Sequence, residues 1–207
     1  MPIDLAELVA PGHTAMLTME MQRGIIGDLA VIPDLAAEVA NQSVIANAAR
    51  LGDAARDAGV RVVHCTAEFR ADRAGSAANA PMLAVMMRSP GHLEVGSPAA
   101  QIVGELGPRP SDIVSSRRHG ISPFTGTDLD AILRNLGVGT VVATGVSLNL
   151  GIPGLAIEAV NLGYRVAVVT DAVAGVPREY GRAVMVNTLA LLATRVTVDD
   201  LIAAWKA

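Results

Sequence analysis

The chain has 207 residues, which is long enough for one domain with a full hydrophobic core. Hydrophobic residues make up 51% and aromatic residues 2%, a composition typical of an α/β core packed from aliphatic side chains. The net charge of −4, without a basic stripe, excludes a typical nucleic-acid-binding protein, and the single cysteine, Cys65, excludes a disulfide framework.

The sequence predicts a cytoplasmic protein without membrane contact. Its first seven residues include acids and no apolar segment of the kind found in signal peptides. No apolar run is long enough to span a bilayer. The four histidines are scattered, and no strand is followed by Gly-x-Gly-x-x-Gly, so we expect neither a metal ion nor a cofactor.

Strand patterns alternate with helix patterns along the chain. Strands are predicted at residues 14–20, 60–66, 112–116, 140–144, 165–170 and 196–198, and helices at residues 33–58, 97–106, 127–136, 152–160, 177–194 and 199–206. This alternation predicts one α/β domain over residues 1–207, with a six-stranded, mainly parallel sheet in a three-layer, doubly wound, Rossmann-like fold.

The segment of residues 67–96 is long for a loop in a compact domain. It contains an apolar patch, Met82-Leu-Ala-Val-Met-Met87. A loop of this kind is usually a lid or an oligomer contact, and an apolar patch favours the contact. We therefore predict a homo-oligomer with residues 82–87 near the subunit interface.

A turn rich in glycine follows the strand of residues 140–144, and a helix with Pro153 in its first turn follows the turn. In an open parallel sheet, ligands bind beyond the carboxyl ends of the strands. The N–H groups at a helix start point outward there. The sequence therefore predicts a small-molecule site at this turn.

Four segments carry a family resemblance: Thr14-Ala-Met-Leu-Thr-Met-Glu-Met-Gln22, Ser122-Pro-Phe-Thr-Gly-Thr-Asp-Leu129, Gly145-Val-Ser-Leu-Asn-Leu-Gly-Ile152 and Gly163-Tyr-Arg-Val-Ala-Val-Val-Thr-Asp-Ala172. In order and spacing they resemble the isochorismatase-like hydrolase superfamily, which includes nicotinamidases and N-carbamoylsarcosine amidases. The resemblance implies that the strand of residues 140–144 lies beside that of residues 14–20. It also implies a cis peptide bond between Val146 and Ser147.

The turn departs from the pattern of the thiol-using members, which place a nucleophilic cysteine where this chain has Gly151. True isochorismatases resemble this chain here, since they carry glycine and hydrolyse a vinyl ether without a protein nucleophile. Ser147, with His119 as its base, is another nucleophile candidate, but Gly-Val-Ser-Leu-Asn is not the Gly-x-Ser-x-Gly elbow. We expect Ser147 and Asn149 to hydrogen-bond the turn or the ligand.

The acid–base residue of the family is an aspartate at the end of the first strand, and Glu20 stands there in this chain. It suits general acid–base chemistry, although it could instead cap or salt-bridge a loop. Arg117 or Arg118 takes the place of the family's lysine. Either arginine could orient a carboxylate but, being always charged, could not shuttle a proton; two solvated surface arginines are the alternative.

Glu68 follows the second strand, where true isochorismatases have a similar Thr-Ala-Gln, and pairing with Arg70 or Arg73 is its alternative role. The catalytic candidates are Glu20, Arg117, Arg118 and Gly151, and the substrate-binding candidates are Glu68, His119, Phe124, Ser147 and Asn149. The sequence predicts a hydrolase of a small enol ether, amide or carbamate that uses glutamate-based acid–base chemistry without a cysteine nucleophile. The alternative is an inactive member that serves as a ligand-binding or assembly module.

Overall fold

The computed structural model describes residues 4–206. Within these residues, one sheet contains six strands: β1 (Thr14–Met19), β2 (Arg61–Ala67), β3 (Ile113–Arg117), β4 (Thr140–Val146), β5 (Arg165–Ala174) and β6 (Thr194–Val196). The strand order is β3-β2-β1-β4-β5-β6, and every neighbouring pair is parallel. The predicted six-stranded parallel sheet, with β4 beside β1, is confirmed.

Helices cover both faces of the sheet. They are α1 (Leu5–Leu8), α2 (Pro33–Asn41), α3 (Val44–Asp57), α4 (Pro81–Met87), α5 (Leu129–Asn135), α6 (Gly151–Asn161), α7 (Arg178–Asn187) and α8 (Val198–Lys206). Helices α1, α2, α3 and α8 pack on one face, and α5, α6 and α7 pack on the other. Neighbouring residues of β1, such as Met16 and Leu17, are buried on opposite faces, which explains why the strands are continuous apolar runs.

The helix predicted over residues 33–58 is two helices, α2 and α3. Ser43 lies between them in the left-handed region, with φ at 54°, and its carbonyl accepts the N–H of Asn47 in the first turn of α3. Val39 and Val44 are both buried against the same core. The apolar pattern thus continues across the break at Ser43, which is why it predicted one continuous helix.

The helix predicted over residues 97–106 is two 3₁₀ turns, Pro98–Ala100 and Gly104–Leu106. Ser97 caps the first turn, since its hydroxyl accepts the N–H of Ala100 at 3.3 Å. Residues 101–103 are extended because they exchange backbone hydrogen bonds with residues 21–23. The segment therefore anchors the chain just beyond β1.

Two further predictions, a loop over residues 67–96 and a helix over residues 177–194, need correction. Residues 67–96 contain α4, whose Met86 and Met87 pack on the core, so the apolar patch is partly internal. Helix α7 ends at Asn187, short of the predicted end at residue 194. No helix in the described part of the chain is long and apolar enough to cross a membrane.

Candidate active site

Four of the predicted positions lie where strands of the sheet end. Glu20 follows β1, Glu68 follows β2, Arg117 ends β3, and Gly151 begins α6 after β4. Because all four strands are parallel, these positions share one edge of the sheet. Such an edge is where open α/β sheets bind ligands.

The backbone holds Glu20 in an unusual conformation. Its φ is 53°, in the left-handed region, where a residue other than glycine costs about 1–3 kcal/mol. Its N–H donates to the carbonyl of Cys65 at 2.9 Å, which ties the end of β1 to β2. Its side chain is 17% exposed and forms an ion pair with the guanidinium of Arg117. The left-handed backbone conformation and the ion pair together make Glu20 a candidate functional residue.

Arg117 is almost completely buried, with a side chain that is 5% exposed. Its Nη2 donates to the Glu20 carboxylate, and its Nε donates to the carbonyl of Gly120 at 3.2 Å. Among the described residues, its buried Nη1 has no hydrogen-bond partner. A buried donor without a partner is rare in native structures, and functional sites are one place where it occurs.

Arg118 points to a different place. Its side chain is 49% exposed and lies 3.8 Å from the carboxylate of Glu68. The structure therefore brings Arg117, not Arg118, to Glu20, the point on which the sequence left two alternatives. Glu68 faces Arg118, whereas Arg70 pairs with Asp72.

The turn between β4 and α6 leaves no room for a side chain at Gly151. The Val146–Ser147 peptide bond is cis, as expected from the family resemblance. A Cβ atom on Gly151 would lie 2.8 Å from the carbonyl oxygen of Val146 and 3.3 Å from the Cε atom of Met19. The carbonyl of Ser147 accepts the N–H of Ile152 at 2.9 Å. The turn thus places the start of α6 at the sheet edge and carries no thiol.

Two of the predicted substrate-binding residues have structural contacts. Both polar atoms of the Asn149 side chain bind the backbone of Val176, which fixes the turn to the segment after β5. Phe124 is buried in the core, and its ring centroid is 5.9 Å from that of Tyr164. The side chain of Asn149 thus has a structural role in the turn, and that of Phe124 has a structural role in the core.

Cys65 lies in β2 beside this site and is fully buried. Burial raises the pKa of its thiol to about 12; the nearby Arg117 lowers it and Glu20 raises it, both by less. At neutral pH the side chain is therefore a protonated thiol, which is a poor nucleophile.

A cavity of about 580 Å³ adjoins the site, and His119, Gly120 and Asn149 line it. Helix α6 contributes Glu158, whose carboxylate accepts hydrogen bonds from the hydroxyls of Ser122 and Thr125. Glu158 was not predicted from the sequence. The available signal was its position on the polar side of α6, opposite the apolar stripe that packs on the sheet.

Gln22 is a second residue whose role was not predicted from the sequence. It is completely buried, and its side-chain amide binds the N–H and carbonyl of Ala67 at 2.8 and 2.9 Å and the carbonyl of Ala100 at 2.8 Å. It thereby joins the chain after β1 to the end of β2. Among the described residues, no group of three or more His, Cys, Asp or Glu side chains is arranged to hold a metal ion.

Comparisons with known proteins agree with this architecture. The family profile described as the isochorismatase domain matches residues 14–200. The solved structure of N-carbamoylsarcosine amidase from Thermoplasma acidophilum superposes with a TM-score of 0.72, at 26% identity, over 90% of this chain and 97% of that chain.

Two curated relatives match over shorter lengths. The isochorismatase family protein YwoC of Bacillus subtilis is 40% identical over 35% of this chain and 38% of its own length. Maleamate amidohydrolase of Pseudomonas putida is 30% identical over 63% of this chain and 60% of its own length. The aligned part of the chain thus spans less than two thirds of either relative.

Proposed function

Because the chain belongs to the isochorismatase-like hydrolase family, we propose that it hydrolyses a small enol ether, amide or carbamate by acid–base chemistry of Glu20, without a cysteine nucleophile. The observation that carries this proposal is the ion pair of Glu20 and Arg117 at the sheet edge, next to the turn that begins α6. Two relatives are an amidohydrolase and an amidase by name, which supports a substrate of this class.

Glu20 supplies the proton transfers in this mechanism. For an amide or carbamate, its carboxylate form, held by Arg117, accepts a proton from an attacking water. In an amide or carbamate, the bond from water to the carbonyl carbon forms and the bond to the leaving atom breaks. The proton that Glu20 took passes to that leaving atom. For an enol ether, the carboxylic acid form of Glu20 protonates the vinylic carbon, and water then adds to the oxocarbenium carbon and returns a proton to Glu20. The resulting hemiketal collapses: its bond to the ether oxygen breaks, its hydroxyl loses a proton as the carbonyl forms, and Glu20 passes a proton to the departing alcohol.

Arg117 and the start of α6 supply positive charge. The guanidinium keeps its charge at all working pH values, so it orients Glu20 and stabilises negative charge but does not transfer protons. Gly151 begins α6, and its backbone N–H faces the developing negative charge in this mechanism, since the N–H groups of Ile152 and Gly154 donate to Ser147 and Leu150. Water attacks directly, since neither Gly151 nor the buried Cys65 offers a thiolate.

A screen of vinyl ethers, amides and carbamates tests this proposal. We expect the wild type to hydrolyse members of one class and Glu20→Gln to lose about 10²–10⁴ in kcat, because the amide keeps the shape but transfers no proton. Treatment with iodoacetamide should leave the rate unchanged, since Cys65 is buried with a pKa of about 12. Alkylation that abolishes turnover, with Glu20→Gln near the wild-type rate, would assign the chemistry to another residue.

The second candidate function is an inactive member that binds a ligand or assembles with other copies. The replacement of the family's lysine by Arg117 and of its cysteine by Gly151 favours it, because arginine cannot transfer a proton and glycine offers no nucleophile. Hydrolysis by the wild type that Glu20→Gln removes would exclude this candidate. The absence of hydrolysis across all three substrate classes would support it.

We also propose a homo-oligomer with α4 near the subunit contact. Val85 of α4 is exposed, although Met86 and Met87 beside it pack on the core. Static light scattering at micromolar concentration should give a mass above that of one chain, and Val85→Lys should lower it. A monomer mass for the wild type would reject the proposal.

A further inference from the structure

The cavity beside the Glu20–Arg117 pair has the size and lining of a small-molecule site. Its volume of about 580 Å³ falls in the usual range for ligand pockets, about 300–1,000 Å³. The start of α4, the loop after β3 and the outer face of α6 form its walls. Apolar side chains make up much of these walls: Leu83, Ile121, Leu150, Pro153 and Ile157.

One carboxylate interrupts this apolar lining. Glu158 is held against the loop after β3 by the hydroxyls of Ser122 and Thr125 and by the N–H of Thr125 at 3.2 Å. Of the described residues that line the cavity, none is a lysine or an arginine. Within residues 4–206, no lysine or arginine forms an ion pair with Glu158. The cavity therefore contains a carboxylate that is not paired with a lysine or an arginine of residues 4–206.

The cavity is also connected to the candidate chemistry. Gly120 lines it, and the carbonyl of Gly120 accepts the Nε–H of Arg117 at 3.2 Å. Leu150 lines it as well and directly precedes Gly151. The cavity therefore borders the candidate site through Gly120 and Leu150.

We propose that this cavity binds the non-reacting part of the substrate and selects an apolar group that carries a cation, such as a primary ammonium, placed against Glu158. Apolar walls strengthen the attraction between the carboxylate and an ammonium group and equally strengthen its repulsion of an anion. That the ligand is a substrate rests on the proposed function. The preference for a cation rests only on the residues that line the cavity.

Three probes of equal length test the charge preference by titration calorimetry: 3-phenylpropylamine, 3-phenylpropanol and 3-phenylpropanoate. The amine should bind at least tenfold more tightly than the carboxylate, with the alcohol between them. Glu158→Gln keeps hydrogen-bonding atoms but removes the charge, so the amine should then bind no better than the alcohol. Equal or tighter binding of the carboxylate by the wild type would overturn the proposal.

Two matched substitutions on α6 test the location. Ile157 lines the cavity and Val160 does not, although their exposures are similar at 44% and 40%. Ile157→Arg places a bulky cation in the cavity and should weaken amine binding at least tenfold. Val160→Arg should leave it unchanged, and thermal unfolding verifies that both variants fold. Amine binding that survives Ile157→Arg would place the ligand elsewhere and reject this cavity.

Glu20→Gln separates the two proposals, because it should lose turnover and keep amine binding. If the wild type binds the amine but hydrolyses no substrate, the proposed function fails and the cavity assignment stands. If it hydrolyses substrates but shows no preference for the amine, the cavity assignment fails alone.

Discussion

Two buried arginines, Arg56 and Arg117, lie in contrasting surroundings. Arg56, on α3, donates Nε and Nη2 to Asp112 at 3.0 and 2.7 Å and Nη1 to Asp53 at 3.1 Å. Arg117 donates to Glu20 and Gly120, and its Nη1 has no partner among the described residues. Each guanidinium nitrogen of Arg56 therefore has a protein partner, whereas Nη1 of Arg117 has none among the described residues.

This difference separates a structural charge from a functional one. A buried network in which each guanidinium nitrogen is hydrogen-bonded within the protein stabilises the fold and leaves no unpaired nitrogen for a ligand. A buried donor without a partner lowers stability, so its retention points to a role in binding or chemistry. Substitutions at the two arginines should therefore affect different properties.

The largest effect is expected from Arg56→Met. It leaves the carboxylate of Asp112, whose side chain is 3% exposed, without its charged partner. Breaking a buried ion pair on one side costs about 3–5 kcal/mol, which urea unfolding measures as a lower midpoint. Turnover by the folded fraction should be unchanged, because Arg56 lies away from the sheet edge. A loss of turnover without a loss of stability would reverse the assignment of the two arginines.

Arg117→Met should show the opposite pattern. It removes the cation that orients Glu20, and loss of one charge-stabilising group in an active site typically lowers kcat about 10²–10³-fold. Arg118→Met is the matched control, since Arg118 is exposed and faces Glu68 instead of Glu20. The control should keep wild-type kcat, and equal losses in both variants would contradict the assignment of Arg117 as the orienting residue.

Gly151→Ala should have an intermediate effect on stability. A Cβ atom there meets the carbonyl oxygen of Val146 at 2.8 Å, so the turn must shift, at about 1–3 kcal/mol. Gly154→Ala is the control in the same helix, because the nearest atom to its Cβ would be 3.8 Å away. Removal of glycine from a helix interior should stabilise this control by up to about 1 kcal/mol. Equal midpoints for the two variants in urea would show that the turn accommodates a side chain at Gly151.

The sheet was predictable from the sequence because its strands are apolar on both faces, as in β1 and β4, and are separated by helices. The break at Ser43 was not, because buried apolar residues continue on both sides of it. Arg117 and Arg118 are adjacent, and only the geometry at the end of β3 decides which of them turns inward. Glu158 was missed because its partners Ser122 and Thr125 are 36 and 33 residues away.

The smallest effect concerns pH and the network of Arg56. His64 shares Asp112 with Arg56, contacting it through Nε2 at 3.2 Å, while its Nδ1 is 2.7 Å from the hydroxyl of Thr18. Burial lowers the pKa of His64 below its usual value near 6.5, an effect only partly offset by the hydrogen bond to Asp112. Burial alone would raise the pKa of Asp112, but hydrogen bonds from Arg56, the N–H of Arg109 and His64 outweigh it and lower the pKa.

Both shifts make the protein less stable in acid. Below about pH 6.5, His64 becomes protonated in the unfolded chain while it stays neutral in the folded chain. The unfolded state then binds more protons, so the free energy of unfolding decreases as the pH is lowered. Asp112 adds a loss in the same direction below pH 3.8, as the unfolded chain protonates its carboxylate first. The loss attributable to His64 is about 1.4 kcal/mol for each unit of pKa difference.

Urea unfolding between about pH 7.5 and 5.5 covers the window of His64, and His64→Gln should flatten the dependence there. His119→Gln is the control, since His119 is exposed, and it should keep the wild-type slope. An equal slope in the wild type and His64→Gln would show that His64 is free to take up a proton in the folded state. The network of Arg56 would then be less rigid than its hydrogen bonds indicate, and the contrast with Arg117 would weaken.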